Sequence, residues 1–134
     1  MYWLVKSDPD TYGWKEFADE KITSWDGIRN YAARIHLKAM KKGDEVLFYH
    51  SNKEAGVAGI AKVTKEFYPD PTAKEDGWVS VELQCGKALK KFVPLSAIKA
   101  EKKLQQMLLI KISRLSVMPV TKDEFDTVLK MGGM

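Results

Sequence analysis

The sequence predicts an α+β domain with a curled, barrel-like sheet of five to six strands flanked by helices. Stretches rich in β-branched and aromatic residues are interrupted by amphipathic stretches, without the regular strand–helix alternation of a doubly wound protein. The 134 residues contain neither an internal repeat nor a linker, and 45% of them are hydrophobic, which suits one core. We therefore treat residues 1–134 as a single domain.

The first twenty residues predict a strand and then a short helix. Residues 2–5 are rich in aromatic and β-branched side chains, which favours a strand, and Pro9 stops it because proline lacks a backbone donor. Lys6 and Ser7 are therefore expected at the strand end. Residues 11–20 place three apolar side chains at helical spacing: Trp14, Phe17 and Ala18.

The most regular helical pattern lies in residues 30–42. The apolar stripe of this segment consists of Ala33, Leu37 and Met40. Its adjoining face is cationic and carries Arg34, Lys38, Lys41 and Lys42. Gly43 can end the helix in a left-handed conformation. Residues 45–50 then predict a strand, and we expect it to be central because residues 46–49 are uniformly apolar.

Two further strands are predicted in the middle of the chain. Residues 56–67 favour a strand in which Gly56 and Gly59 indicate bending or close approach by another backbone. Residues 79–85 alternate between apolar and polar side chains, which is typical of a half-buried strand. We expect a separate basic segment to follow at residues 87–91.

The last third of the chain predicts helices around one extended segment. Ser96 can cap a helix that continues, with a break, through residues 104–112. Residues 113–120 are extended by composition. Thr121 and Glu124 have the spacing of a capping box, in which each side chain bonds to the backbone of the other, so the final helix begins there.

Composition and motifs exclude several classes of site. Lys and Arg number 22 against 18 Asp and Glu, and a net charge of +4 favours polyanionic partners only mildly. Cys85 is the single cysteine, and neither His36 nor His50 has a companion at ligand spacing. Because phosphate-loop and nucleophile-elbow motifs are absent as well, we expect no metal and no cofactor. Without a long apolar run, a cytoplasmic protein is the simplest expectation.

Aromatic rings close to basic residues are the feature that points to function. A nucleobase gains about 1 to 3 kcal/mol from each aromatic ring on which it stacks. Trp25 and Tyr49 are the leading candidates for such rings. Because its neighbours Ser24, Asp26 and Gly27 are polar or small, Trp25 is expected in a loop as the wall of a partly open pocket. For Tyr49, a place in the core is an equally good interpretation.

The polar and cationic residues near these rings each have two interpretations. Asn30 can cap the following helix or hydrogen-bond to a base edge. His50, Ser51 and Asn52 follow a buried strand, where ligand-directed groups often lie, although a plain turn explains them equally well. Three cationic residues can form either a phosphate track or a solvated helix face: Arg29, Arg34 and Lys38.

Five separated blocks cover nearly the whole chain and resemble, in the same order, the EVE domain, a PUA-like relative of the YTH modified-base readers. The blocks are YWLVKSDPDTYGW, WDGIRNYAAR, MKKGDEVLFYHSN, GIAKVTKEFYPDPT and SRLSVMPVT. The resemblance implies a PUA-like fold, in which a small mixed sheet closes into a pseudo-barrel flanked by helices. Asp8, Gly13 and Ile28 depart from the residues common in the family, which leaves the recognised base open.

The resemblance also implies a function and a set of site residues. EVE domains are thought to hold a modified base, flipped out of DNA or RNA, in a pocket with aromatic walls and no catalytic residues. The matching positions for base binding are Lys6, Ser7, Trp25, Asn30, Tyr31, Tyr49, His50, Ser51, Asn52, Ser116, Val117, Met118 and Pro119. Because flipping a base costs free energy, we also expect basic residues around the pocket rim, and we assign phosphate contacts to Arg29, Arg34 and Lys38.

Three functions follow from these observations. The first is a monomeric, non-catalytic binder of DNA or RNA that recognises a methylated or hydroxymethylated base. The second is a PUA-like RNA-binding module without preference for modified bases. The third is an enzyme acting on nucleic acid or nucleotides, which requires His50 and Asp26 to share a cleft.

Overall fold

The computed structural model describes residues 1–52 and 54–134, and its six strands form one mixed sheet. The strands are β1 (Tyr2–Ser7), β2 (Ile22–Trp25), β3 (Glu45–His50), β4 (Gly56–Pro69), β5 (Val79–Pro94) and β6 (Val117–Val120). The helices are α1 (Pro9–Tyr12), α2 (Trp14–Glu20), α3 (Tyr31–Ala39), α4 (Leu95–Ala100), α5 (Leu108–Lys111) and α6 (Lys122–Met131), with a 3-10 turn at Lys102–Leu104. The predicted α+β class is confirmed.

The order of the strands across the sheet is β2-β5-β4-β3-β1-β6. β1 runs parallel to β3, and the other neighbouring pairs are antiparallel. β3 lies in the interior of the sheet, as its continuous apolar run predicts. The register places Lys6 beside Tyr49 and Ser7 beside His50, so the carboxyl ends of β1 and β3 are neighbours.

The sheet is bent but not closed, which corrects the expectation of a pseudo-barrel. β2 and β6 are its edges, and no strand pairing joins them within residues 1–52 and 54–134. The long β4–β5 hairpin supplies the bend because its register shifts at several positions, and such irregularities bend strands. Closure would require a continuous ladder between the edge strands.

β5 extends well beyond the strand that its alternating pattern predicts. Residues 87–91, expected as a separate basic segment, belong to the strand, which continues until Pro94 pairs with Gly56 of β4. Ladder hydrogen bonds join backbone groups, so lysine side chains on an exposed face do not interrupt them. Ser80 was expected on the polar face but is buried. Pro94, rather than Ser96, occupies the cap position of α4.

The predicted helix over residues 11–20 is two short helices. The carboxylate of Asp8 accepts a backbone N–H at the start of α1, and Gly13 separates α1 from α2. Phe17 is buried as predicted, whereas Ala18 is exposed. The break at Gly13 turns the apolar side of α2 toward the sheet.

Local capping sets the limits of α3 and α6. The Asn30 side chain accepts a hydrogen bond from the backbone N–H of Ala33 at 2.9 Å and caps α3. The helix ends earlier than predicted, and Gly43 with φ +96° forms the turn before β3 instead. The capping box of Thr121 and Glu124 at the start of α6 is confirmed.

An aromatic cluster fills the core between α2 and the sheet. The Phe17 and Phe48 rings stack with centroids 5.2 Å apart. Trp14 and Trp25 meet Phe48 edge-on, with centroids 5.4 and 5.7 Å from its centroid. A β carbon on Gly59 would clash with the Trp14 indole, a side chain and not the backbone that we expected there, whereas at Gly56 the close neighbour is the backbone oxygen of Val93, as predicted. The cluster fixes the end of β2 against β3.

Two kinds of feature are absent from the part of the chain that the structure describes. None of its helices is long and apolar enough to cross a membrane. No three His, Cys, Asp or Glu side chains there form a group that could hold a metal ion. His36 packs against Trp3, while His50 packs against Phe48 on another part of the sheet.

Candidate functional site

A cavity of about 510 Å³ lies where the end of β1, the helices α1 and α2, and β2 meet. Its lining residues are Lys6, Ser7, Asp8, Thr11, Tyr12, Glu20, Thr23, Ser24, Trp25, Asp26 and Ile28. Cavities of about 580 and 610 Å³ lie beside α6 and α4, so volume alone does not distinguish this one. What distinguishes this cavity is an indole wall together with polar groups, because ligand sites combine apolar surface with polar contacts.

Trp25 is the last residue of β2, not a loop residue as its neighbours suggest. Pairing with Val81 of β5 fixes its backbone. Its indole meets the rings of Tyr12, Phe17 and Phe48 at centroid distances of 6.2, 6.5 and 5.7 Å. Although only 7% of Trp25 is exposed, the residue lines the cavity. The structure therefore places a rigidly held aromatic wall beside an open space.

Tyr12 and Glu20 form a second wall that sequence reasoning missed. The Tyr12 hydroxyl donates to Oε1 of Glu20 at 2.5 Å. Burial and this hydrogen bond raise the pKa of Tyr12 to about 12, so the phenol stays protonated at neutral pH. Because Gly13 separates the helices that carry the two residues, a single helical period does not relate them. The sequence therefore carries no signal for this pair.

The charged groups of the cavity are mainly carboxylates, which differs from the basic rim that we expected. Asp8, Glu20 and Asp26 line the cavity together with one cation, Lys6. The Lys6 ammonium donates to the carbonyl oxygen of Ser113 at 2.7 Å, and burial lowers its pKa. The cavity therefore presents hydrogen-bond acceptors and repels phosphate groups.

The residues at the end of β3 support the cavity without lining it. Tyr49 is buried, and the Lys6 ammonium lies 5.7 Å from the centre of its ring. His50 Nε2 accepts a hydrogen bond from the Trp14 backbone N–H at 2.9 Å. Ser51 donates its backbone N–H to the carbonyl oxygen of Ser7. These contacts hold β1 and α2 in place, so the structure separates His50 from Asp26.

Asn52 and the residues around β6 also lie outside the cavity lining. Asn52, with φ +81°, donates its side-chain amide to Asp8 at 3.2 Å. Ser116 accepts the Lys6 backbone N–H, and Val117 and Met118 are buried against β1. The β6 residues, among them Pro119, cover the far edge of β1 and are not among the lining residues. Asn30 is likewise used as the cap of α3.

A buried carboxylate fixes the loop that follows Trp25. Asp70 accepts hydrogen bonds from the backbone N–H of Gly27 at 2.8 Å, from Arg29 at 2.9 Å and from Thr72. Burial alone would raise the pKa of Asp70, but the bonds from Thr72, Arg29 and Gly27 outweigh it and lower the pKa to about 2. Asp70 thus stays ionised and ties the cavity loop to the end of β4.

Four other predicted site residues lie outside the cavity, on the surface of α3 and the loop before it. Tyr31 is 68% exposed and packs against Trp78, with ring centroids 5.3 Å apart. Arg34 lies over both rings, while Arg29 lies between Asp70 and Trp78. Lys38 projects over Phe67. Of the predicted base-binding residues, the structure therefore brings Lys6, Ser7 and Trp25 together in the cavity and places the others outside its lining.

Apart from its unclosed sheet, the chain has the architecture expected of a PUA-like domain, namely one mixed sheet flanked by helices, with an aromatic cavity at the end of the first strand. The sequence matches the EVE domain model over residues 1–131. The chain belongs to the EVE domain family.

Relatives of this chain include a human protein whose structure was solved in complex with DNA. Thymocyte nuclear protein 1 from Homo sapiens is 39% identical over 97% of this chain and 73% of its own length. The crystal structure of human THYN1 in complex with 5-methylcytosine-containing DNA has a TM-score of 0.93 and 36% identity, covering 99% of this chain and 98% of that one.

A more distant likeness connects the fold with the YTH domains. The Mmi1 YTH domain, solved in complex with RNA, has a TM-score of 0.60 and covers 98% of this chain and 77% of its own. The two sequences are 11% identical, so the likeness concerns the fold alone. It agrees with the PUA-like architecture that the sequence predicts.

Proposed function

We propose that this protein is a non-catalytic nucleic-acid-binding domain that holds one modified base, flipped out of its strand, in the cavity beside Trp25. The observation that carries the proposal is the rigid indole wall of a cavity lined by hydrogen-bonding groups. The complex of human THYN1 with 5-methylcytosine-containing DNA supports it, since that protein has the same fold and 36% identity.

The aromatic walls suit a base that carries an added methyl group. A methyl group that leaves water for an apolar surface gains about 0.8 kcal/mol, or about fourfold in affinity. Stacking on an aromatic ring contributes about 1 to 3 kcal/mol, but it does so for every base. We therefore expect Trp25 to supply most of the affinity inside the cavity and a moderate preference for methylation.

The carboxylates suit a base with an exocyclic amino group. Amino groups on cytosine and adenine donate hydrogen bonds, and Asp and Glu side chains are the usual acceptors for the cytosine amino group. Glu20 is held in place by Tyr12, and its second oxygen is available to such a donor. Asp26 lies on the same lining. This chemistry favours 5-methylcytosine or N6-methyladenine over thymine, which carries a methyl group but no amino group.

The test compares single-stranded oligonucleotides that differ in one central base. Cytosine, 5-methylcytosine, 5-hydroxymethylcytosine, N6-methyladenine, adenine and thymine are placed there, and dissociation constants are measured by fluorescence anisotropy. Wild-type protein is expected to prefer a modified amino base, and Trp25→Ala is expected to lose that preference. Trp25→Phe keeps a ring and serves as the conservative control. Equal affinity of the wild type for all six oligonucleotides would refute the proposal.

A second candidate function is an RNA-binding module without preference for modified bases. The cationic residues of the α3 region and the net charge of +4 favour it. The same measurements separate the two functions: affinity that depends on salt but not on the central base supports the second candidate.

The enzyme hypothesis was motivated by a cleft shared by His50 and Asp26. His50 is instead bonded to the Trp14 backbone and does not line the cavity with Asp26, so the structure does not support that hypothesis.

A further inference from the structure

A second aromatic surface lies outside the cavity, at the start of α3 and beside the residue that precedes β5. We name the group of Tyr31, Arg34 and Trp78 the outer platform. The Tyr31 and Trp78 rings lie 5.3 Å apart at an interplanar angle of 37°. The Arg34 guanidinium is 4.9 Å from the Tyr31 ring centre and 4.8 Å from that of Trp78.

Tyr31 is more exposed than the other aromatic rings that the structure describes, of which Phe67 at 48% and Phe92 at 41% come next. Tyr31 is 68% exposed, although it belongs to a stacked group, whereas Trp3, Phe17 and Phe48 are almost fully buried. An aromatic ring gains most by burial, so a ring held in place with one face open to solvent is a ready surface for a ligand. Tyr and Arg are also among the side chains most often used in binding hot spots.

The outer platform is held rigidly by its neighbours. Arg34 donates to the carbonyl oxygen of Gly77 at 3.1 Å. A β carbon at Gly77 would lie 3.1 Å from the Arg34 guanidinium, and φ there is +98°, so glycine makes room for the stack. Arg29 approaches the Trp78 ring to 5.6 Å while its guanidinium is bonded to Asp70. A preorganised stack loses little conformational freedom when a ligand binds.

Charge around the outer platform favours a polyanion. Arg29 and Arg34 lie within the stack, and Lys38 follows one turn later on α3. Lys74 lies beside Trp78, where Glu75 offsets part of the charge. Planar rings with guanidinium groups and excess positive charge are the features by which proteins bind single-stranded nucleic acid. The cavity has the opposite balance, since carboxylates dominate its lining.

We propose that the outer platform is a second nucleotide site, on which an unpaired base stacks against the open face of Tyr31 while Arg34 contacts its phosphate. This proposal rests on the proposed function only in taking nucleic acid as the ligand. Asp70 binds both Gly27, next to the cavity, and Arg29, next to Trp78, so one buried carboxylate fixes the two sites relative to each other. One strand can thus insert a modified base into the cavity and stack a neighbouring base outside it.

The experiment measures binding of two single-stranded oligonucleotides, identical except for a central cytosine or 5-methylcytosine. Tyr31→Ala is expected to weaken both by the same factor, at least about fivefold. Tyr31→Phe is expected to bind as wild type, because stacking needs the ring and not the hydroxyl. Arg34→Gln is expected to reduce the slope of log affinity against log salt by about 1. Lys87→Gln, on the exposed part of β5, removes a charge elsewhere and is the matched control.

The possible results separate this site from the cavity. Wild-type affinity in Tyr31→Ala would overturn the second site, and so would a loss of the methylation preference alone, because Tyr31 would then act in the cavity. An equal loss for a closed circular duplex would also overturn it, because every base of that duplex is stacked between neighbours and has no free face for the ring. If wild type shows no preference for 5-methylcytosine while Tyr31→Ala still weakens binding, the proposed cavity function fails and the outer platform stands. Unchanged circular dichroism and melting temperature in Tyr31→Ala exclude unfolding as the cause.

Discussion

The cavity and the outer platform both present aromatic rings, but they surround them differently. Trp25 in the cavity is almost buried, is fixed by three other rings and faces carboxylates. Tyr31 on the outer platform is open to solvent and lies against guanidinium groups. Enclosed rings with acceptors discriminate between bases, whereas open rings with cations bind any strand.

This division solves an electrostatic problem. A pocket that accepts hydrogen bonds from a base edge must carry negative or partly negative oxygens, and these repel the phosphates of the same strand. Cations next to the carboxylates would pair with them and cancel both effects. Placing Arg34 outside the cavity, over the Tyr31 and Trp78 rings, keeps the two kinds of contact apart. Overall charge, at +4, therefore says little about the cavity itself.

The largest expected effect is that of Trp25→Ala, which changes the cavity and leaves the outer platform intact. The variant removes a ring packed against Tyr12, Phe17 and Phe48, and truncation of a buried Trp costs about 3 to 5 kcal/mol of stability. Urea denaturation measures the loss. Tyr31→Ala, which removes an exposed ring, is expected to change stability by less than about 0.5 kcal/mol. Similar losses in the two variants would erase the distinction between the regions.

Asp70→Ala is expected to damage both regions at once. It removes the acceptor for Gly27, Arg29 and Thr72, and a buried donor left unpaired costs about 1 to 3 kcal/mol. We expect lower stability in urea together with weaker binding of modified and unmodified oligonucleotides. Asp76→Ala, an exposed change in the same connection, is the matched control and should be neutral.

The pKa of Asp70 gives this prediction a pH dependence. Its folded pKa is about 2, below the ordinary 3.8, so the stability it contributes is present above pH 3.8 and is lost as the pH falls toward 2. Below that range wild type and Asp70→Ala should converge in stability. A constant difference between them down to pH 2 would contradict the role of the ionised carboxylate.

Local sequence signals predict a large part of the fold. The capping box of Thr121 and Glu124 and the apolar run of β3 are short-range patterns, and both are confirmed. The length of β5 is not predictable in this way, because its second half is held by pairing with β4 and not by its own alternation. Whether the sheet closes is not predictable from local patterns either, because closure depends on how the two edge strands meet.

The candidate site was predictable only in part. Trp25 is identifiable because a Trp among small polar residues is unusual, and the structure places it on a cavity. Tyr12 and Glu20 escaped because their contact depends on the angle between two helices separated by Gly13. Asp70 escaped because two of its partners, Gly27 and Arg29, lie about forty positions away along the chain, and sequence spacing carries no information at that range.

Glu20→Gln is expected to have a smaller effect, which concerns only the preference of the cavity for one base over another. Glutamine keeps one acceptor oxygen for the Tyr12 hydroxyl but replaces the second oxygen with a donor. We expect affinity for 5-methylcytosine to fall by about 1 to 3 kcal/mol while affinity for thymine changes little. Competition binding with the two oligonucleotides measures the ratio. Asp26→Asn is the parallel variant, and an unchanged ratio in both would remove the carboxylates from base recognition.

The smallest expected effect concerns His50, which supports the cavity through its hydrogen bond to the backbone of α2. Burial lowers its pKa from 6.5, although Glu16 nearby opposes the shift, and its Nε2 must be unprotonated to accept the Trp14 N–H. Because the unfolded chain takes up the proton more readily, stability should be full above pH 6.5 and decline as the pH falls below it. Urea midpoints at pH 7.5 and 5.5 measure the decline, and His50→Asn should reduce it. Burial also lowers the pKa of His36, so a decline of the same sign should remain in that variant. A wild-type midpoint that rises on acidification would contradict a neutral, hydrogen-bonded His50 beneath the cavity.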